Sequence, residues 1–362
     1  MKIKREIVFF YFTLYLTLLV SLFFQENTIG GAEYDFSITS KVIKNFSSDI
    51  SYTLKNFASF ELSHFPFYYI FLSFFYNDYF NFFLIKIIIL HLSLFLPLVF
   101  YKLIKFKYNY QNKFLPYIPG ILFLSPSFRS NAVWAMNDNI ALIFLSLSIL
   151  FFNKFLEEKK YQRKIVFILL NVLFLALSSY IRQYYAIFSI FFFYYFIKHN
   201  NLSLFLIYVF TNIILSLPAV TLVYSGSNLS YSFAFISENL INNLIFTLNI
   251  FFIYLIPIYL EKKNIKLFLN FYNKKKIVAI LIFILTISLI FFIDYDFKYG
   301  GGIIFKLFLN SNTKYLFYCI TYLSLLFIFH FTYLNYKNNL IIILCLLTMF
   351  PLYTVYQKYL DP

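Results

Sequence analysis

The chain has 362 residues, of which 61% are apolar and 12% charged, with 54 Phe and 34 Tyr among them. A water-soluble domain cannot spread so few charges over its surface, and several apolar runs approach the roughly 20 residues that cross a bilayer, so the composition excludes a soluble fold and a barrel of short alternating strands. The net charge of +15 belongs to short segments between apolar runs, which points to membrane topology and anionic headgroups and gives no sign of a nucleic-acid site.

The first apolar run, residues 7–24, follows Lys2, Lys4 and Arg5. It is longer than a secretory signal core, and the small residues Gly30 to Ala32 lie too far beyond it for cleavage, so it reads as a retained span. Further spans are expected at about 80–101, 114–128, 139–153, 165–181, 184–197, 202–223, 240–260, 277–293, 315–335 and 339–356. The expected fold is therefore all-α, a single polytopic transmembrane bundle over 1–362 with about eleven spans. The segments 67–200 and 201–356 hold the spans that follow the loop 25–66.

Charge counting orients this arrangement, because cytoplasmic segments carry the Lys and Arg excess. With the N-terminus inside, cytoplasmic segments hold 20 of the 30 basic residues, and 11 of the 15 acids fall outside. The expected setting is the inner membrane of a bacterial cell, multi-pass, with a cytoplasmic N-terminus.

The loop 25–66 is the longest outer segment, and it opens with the acids of "GAEYDF", Glu33 and Asp35. After them Ile38, Val42 and Phe46 recur every fourth residue with Ile43 alongside, the pattern of an amphipathic helix lying on the membrane surface. Asp35 precedes that pattern, which makes it either an N-cap or a base. Next comes "SHFPFYYIFLSFFYND", whose apolar stretch is too short to span and suits a re-entrant or interfacial helix. His64 has no second His beside it and reads as a hydrogen-bonding group more readily than as a metal ligand.

These features together resemble the GT-C superfamily of polyprenyl-phosphate-sugar-dependent glycosyltransferases. The resemblance rests on a basic N-terminus, one span, an outer loop whose acids open an amphipathic helix, and "HFPFYY" before the next span. "SPSFRSNAVWAMNDNIALIFLSLSILFF" looks like that family's connection from third to fourth span, where a Ser-Pro turn leads to an acid opening an apolar helix. "ALSSYIRQYYAIFSIFFFYYF" looks like its fifth-to-sixth span turn, and the Arg-Gln there is similar to that of the glucosyltransferase adding the terminal glucose in lipid-linked oligosaccharide assembly. The chain departs from the commoner pattern in having one Pro in "HFPFYY" and Glu-Tyr-Asp in place of adjacent acids, which leaves open which acid matches the family's base.

The resemblance implies an inverting transfer on the periplasmic face, from a polyprenyl-phosphate-linked sugar to a glycan, lipid or protein acceptor. One carboxylate must take the acceptor's proton, a role for which Asp35 is the first candidate and Glu33 the second. The leaving phosphate needs cations, and Arg129 and Arg182 stand at outer span ends where each would either grip it with a planar fork or snorkel to the headgroups. His64, Tyr68, Asp138 and Gln183 complete the expected substrate-binding set, with Asp138 also able to act as a helix cap. The final "YQKYLDP" resembles a late Tyr-x-x-Pro end of related enzymes and adds Tyr359; a chain ending directly after it is a shortened member or a piece of a longer one.

No cofactor is expected. Cys319 and Cys345 lie in apolar runs without ligand spacing, Asp294 and Asp296 have no evident third metal ligand, and the run Gly300–Gly302 lacks the context of a nucleotide loop. The alternatives are a lipid-linked glycan flippase, which should carry ionisable or helix-breaking residues at mid-membrane in both halves, and an O-antigen-type polymerase, which should place its large outer loops late in the chain.

Overall fold

The computed structural model describes residues 5–27, 31–60, 62, 64–79, 81–107, 115–199, 201–224, 240–259, 262–290 and 314–334, with positions 339, 343 and 344. Among them the chain is helical, with one isolated bridge between Asn77 and Asn81 and no strand. Among the described residues six helical segments are long and apolar enough to cross a membrane: Arg5–Phe23, Phe83–Phe106, Asp138–Glu157, Tyr161–Ile181, Leu202–Leu222 and Tyr315–Tyr333. The chain clusters into two compact units, Met1–Ser230 and Tyr231–Asp361.

In the first unit α1 (Arg5–Phe23) ends in a turn that aims one acid. Gln25 takes a left-handed φ of 49°, and the N–H groups of Gln25 and Glu26 return to the carbonyls of Leu22 and Ser21 at 3.3 and 2.9 Å. This is a Schellman closure with a non-glycine at the left-handed position, and it folds Glu26 back toward the helix. The amphipathic helix α2 (Ala32–Ser48) follows, then α3 (Ile50–Lys55). Val42, Ile43 and Phe46 are buried, whereas Ile38 is 37% exposed; the inward face also takes in Ala32 and Phe36 and packs on α4 (Phe67–Ser73).

The apolar run near 80–101 is two helices in series, α5 (Phe83–Ser93) and α6 (Phe95–Lys107). Pro97 brings no N–H and its ring crowds the carbonyl of Ser93, four residues back, so the ladder breaks at Leu94. Residues 114–128 do not form one span. Leu115–Leu124 is a 3₁₀ helix interrupted by Pro119, and α7 (Pro126–Val133) follows it. Gly120 lies against α1, where an added Cβ would meet the Phe10 ring at 2.6 Å.

Helices α8 (Asp138–Glu157) and α9 (Tyr161–Ile181) form the closest helix pair of this unit. In lipid, apolar side chains gain nothing by leaving the tails for a neighbouring helix, so close packing and interhelical hydrogen bonds must hold such a pair. Both occur. Ser148 Oγ donates to the Asn171 carbonyl at 2.9 Å, and Asn171 Nδ2 donates to the Ser148 carbonyl and Oγ at 3.0 and 2.9 Å. Ser178 Oγ donates to the Ala141 carbonyl at 2.8 Å, and Phe151 stacks on Phe174 at 5.5 Å. The expected span at 184–197 is a 3₁₀ turn, Gln183–Ile187, followed by the 12-residue α10 (Phe188–His199), and α11 (Leu202–Tyr224) completes the unit.

The second unit contains α12 (Leu240–Tyr259), α13 (Lys262–Lys274), α14 (Lys276–Ile290) and α15 (Lys314–Leu334). Buried Asn249 ties α12 to α15: its Nδ2 donates to Thr321 Oγ1 at 3.0 Å and its Oδ1 accepts from Ser324 Oγ at 2.7 Å. The basic segment "KKNIKLFLNFYNK" is a helix with Phe268 and Phe271 packed against His330. The expected span at 339–356 lies almost wholly outside the described residues.

Asn171→Ala removes both Nδ2 bonds of the α8–α9 clasp. It should lower stability by about 1 kcal/mol, measured as a shift in unfolding midpoint in mixed micelles.

Candidate functional site

The segment from Ser125 to Asp138 joins several elements at one end of the α8–α9 pair. Ser125 caps α7, its Oγ accepting the Phe128 N–H at 3.2 Å, with Pro126 at the first helical position. After eight residues the chain leaves the helix through Ala135 at a φ of 50°, and the Met136 N–H returns to the Asn131 carbonyl at 2.9 Å. A left-handed Ala costs about 1 kcal/mol, so this turn must be held by its surroundings. Tyr68, from the His-Pro element, supplies the hold: its hydroxyl donates to the carbonyls of Ala135 at 2.8 Å and Met136 at 3.1 Å. Burial pushes the hydroxyls of Tyr68 and Tyr69 well above the ordinary phenol range, which keeps the Tyr68 proton available for these bonds.

Asp138 opens α8, and Arg182 ends α9 with an extended backbone. Their side chains meet, Arg182 Nη2 to Asp138 Oδ1 at 2.5 Å, and the residues are only 4% and 6% exposed. Each charge sits at the helix end whose dipole favours it, the anion at an N-terminus and the cation at a C-terminus. Arg182 Nη1 reaches His64 Nε2 at 2.7 Å, and His64 Nδ1 faces Gln183 Oε1 at 3.5 Å. A guanidinium can only donate, so Nε2 must hold the lone pair and Nδ1 the hydrogen turned toward Gln183. Residues 64, 138, 182 and 183, drawn from three separate stretches, thus form one chain of polar contacts, buried at Asp138 and Arg182 and half-buried at His64 and Gln183.

Tyr69 relates this cluster to Asp35. The charges of Arg182, Asp35 and Asp138 all bear on its hydroxyl, so Asp35 shares the electrostatic neighbourhood of the ion pair. Glu33 faces differently: it is exposed, and its charge bears on Lys86. The Lys86 ammonium lies 3.8 Å from the Trp134 ring centroid and 4.9 Å from that of Phe36.

The N-cap role for Asp35 is corrected. Helix α2 begins at Ala32, before the apolar repeat, with Gly31 at a φ of 93° as its N-cap; the Ala32 N–H is received by Asn27 Oδ1 at 3.2 Å. Asp35 already donates its own N–H to the Gly31 carbonyl at 2.9 Å, inside the helix. The capping reading of Asp138 is likewise replaced, since Asn137 occupies the cap and the Asp138 carboxylate is turned to Arg182.

Arg129 joins a different partner. Its Nε donates to Glu26 Oε1 at 2.9 Å and its Nη2 to Oε2 at 2.5 Å, a two-point fork that Ser21 and the Phe123 carbonyl also support. The hydrogen bonds from Arg129 hold the Glu26 carboxyl below its usual range. Beside the pair runs an open groove of about 590 Å³ along α1, lined by Leu16, Val20 and Phe24. Glu26 escaped the sequence reading because nothing local marks it; its signal is the Schellman turn that aims it. Tyr359, Asp294 and Asp296 lie outside the described residues. Among the described residues no three His, Cys, Asp or Glu side chains are grouped to hold a metal.

No protein-family model, curated protein or solved structure matches the chain.

A depressed folded-state pKa means that Glu26 contributes stability above its unfolded value near 4.5 and loses it as pH falls through the folded value. Thermal unfolding should therefore show an acid step below about pH 4.5 that Glu26→Gln removes. At neutral pH the same variant should be less stable by about 2 kcal/mol, the scale of a charged hydrogen bond.

Proposed function

We propose that the protein is a membrane glycosyltransferase of the GT-C kind, inverting, with Asp35 as general base and Arg182 as the cation that receives the leaving phosphate. The observation that carries this is convergence: the three stretches quoted for the resemblance supply His64 and Tyr68, Asp138, and Arg182 with Gln183, of which His64, Asp138, Arg182 and Gln183 are joined in one chain of contacts, and the charge of Asp35 reaches the Tyr69 hydroxyl next to Tyr68. The finer topology belongs to the same proposal, namely about eleven spans in a bacterial inner membrane, N-terminus inside, with the reaction on the periplasmic side.

The chemistry then runs as a single displacement. An acceptor hydroxyl attacks the anomeric carbon, the new C–O bond forms as the bond to the phosphate oxygen breaks, and the hydroxyl proton passes to the Asp35 carboxylate. The phosphate leaves as a dianion and needs no proton, so what lowers its barrier is a cation already desolvated and aimed. Asp138 and His64 do the aiming, by fixing the guanidinium from two sides. Arg129 is assigned a structural role, because its fork is engaged by Glu26. Asp35 is preferred over Glu33 because its charge falls on the Tyr69–Arg182–Asp138 neighbourhood and that of Glu33 falls on Lys86.

Because Asp35 does not cap α2, Asp35→Asn should leave folding unchanged and lower sugar transfer by about a hundredfold or more. Glu33→Gln should be much milder. Transfer at the parental rate by Asp35→Asn, with Glu33→Gln inactive, would move the base by two residues.

Arg182→Lys keeps the charge and loses the planar fork. It should lower kcat/KM for the lipid-linked donor by about 5- to 150-fold, the equivalent of about 1–3 kcal/mol. An unchanged kcat/KM in a variant that still folds returns Arg182 to a purely structural pair with Asp138.

A further inference from the structure

The α8–α9 pair has a second charged end, opposite the Asp138–Arg182 contact. There the ends of α6, α8 and α9 flank an open cleft of about 490 Å³, with Phe106 and Phe167 on its apolar side and Lys154, Lys159 and Lys160 around it. The Lys154 ammonium stands 5.0 Å from the Phe151 ring centroid and 6.0 Å from that of Phe167. Its stem therefore covers aromatic surface while its charge stays at the boundary between apolar and polar layers. Lys164 lies close by, 5.5 Å from the Phe155 centroid.

Two acids, Glu157 and Glu158, also line the pocket, but one of them is directed elsewhere. Glu158 Oε1 accepts the backbone N–H groups of Lys159 and Lys160 at 2.9 and 3.0 Å, and its Oε2 faces Arg163 at 3.8 Å. Lys154, Lys159 and Lys160 outnumber the two acids that line this apolar-sided cleft, and Arg163, which faces Glu158, and Lys164 follow on the first turn of α9. From the cleft an outward stripe of α9 continues toward the middle of the span: Val166, Leu169 and Leu173 are 50%, 41% and 39% exposed, at helical spacing.

We infer that this pocket binds the headgroup of one anionic phospholipid, its phosphodiester among Lys154, Lys159 and Lys160 and its acyl chains along the Val166–Leu169–Leu173 stripe. The pairing of cations with a continuing apolar track selects a lipid over a free anion, because a free phosphate uses only the first of the two. A cation excess at the ends of adjacent spans is also what discriminates an anionic from a zwitterionic headgroup. The lipid would fill the cleft between α6 and the α8–α9 pair and stiffen their junction by mass action. The inference is independent of the proposed transferase reaction.

The test uses the purified full chain in neutral detergent with dioleoyl-phosphatidylglycerol, dioleoyl-phosphatidylcholine or inorganic phosphate, followed by native mass spectrometry and thermal unfolding. Phosphatidylglycerol should remain bound at one copy and raise the unfolding temperature, with phosphatidylcholine and inorganic phosphate giving little of either effect. Lys159→Glu/Lys160→Glu changes two exposed residues and should fold; it should weaken phosphatidylglycerol retention by about tenfold or more. Lys154→Gln should weaken it too, whereas Lys41→Gln/Lys44→Gln on α2 should leave it intact. Equal retention of the two lipids, an equal shift from inorganic phosphate, undiminished retention in the Lys159/Lys160 variant, or equal loss in the α2 control would each overturn the inference.

Discussion

The ion pair between Asp138 and Arg182 is the constraint around which this end of the molecule is arranged. A carboxylate and a guanidinium taken out of water cost several kcal/mol each, and only close geometry with further hydrogen bonds recovers it. The pair is made by the first residue of α8 and the residue that ends α9, so it exists only if both helices stop where they do and lie side by side. Removing one partner would strand the other as a buried charge, a loss of about 3–5 kcal/mol. The Ser148–Asn171 clasp further along the same two helices serves that register, and a shift of one residue along α9 would break both.

The two arginines divide the work. Arg129 is tied by its two-point contact to Glu26, which fastens the end of α1 to α7 and shapes the groove beside them. Arg182 is tied to Asp138 and His64, residues that come from elements separated by more than 70 positions in sequence. Arg129 belongs to the short α7, whose left-handed exit at Ala135 is held by the Tyr68 hydroxyl. The His-Pro element thereby acts twice, once through Tyr68 on the α7–α8 turn and once through His64 on the guanidinium. A site built from helix ends, and braced from three directions, is preorganised for charge in the sense that electrostatic catalysis requires.

Much of the helical layout was legible in sequence because length and hydropathy decide it: the runs at 7–24, 139–153, 165–181, 202–223 and 315–335 each overlap a long apolar helix over most of their length. Hydropathy does not see proline geometry, and so it missed the break at Leu94 and read 114–128 as one span where a 3₁₀ helix containing Pro119 is followed by the short α7. The helical pattern in α2 was legible, but its start was not. Asn27 and Gly31 begin the helix before its apolar repeat does, which shifts Asp35 from cap to first turn. Of the candidate site, His64, Tyr68, Asp138, Arg182 and Gln183 were named from short motifs, whereas Glu26 and Tyr69 became visible only through the contacts that long-range packing gives them. Pairings across a hundred residues, such as Arg129 with Glu26, leave no local periodicity to read.

The central claim is that these residues serve a transfer from a lipid-linked sugar. The most direct measurement is to incubate the purified chain, reconstituted in liposomes, with a panel of polyprenyl-phosphate sugars radiolabelled in the lipid and a mixed glycan and lipid acceptor extract, and to follow release of free polyprenyl phosphate. Release is expected from at least one donor, dependent on acceptor and abolished by Asp35→Asn. Folded protein that releases no polyprenyl phosphate from any donor, or that releases it equally well with Asp35→Asn, would contradict it.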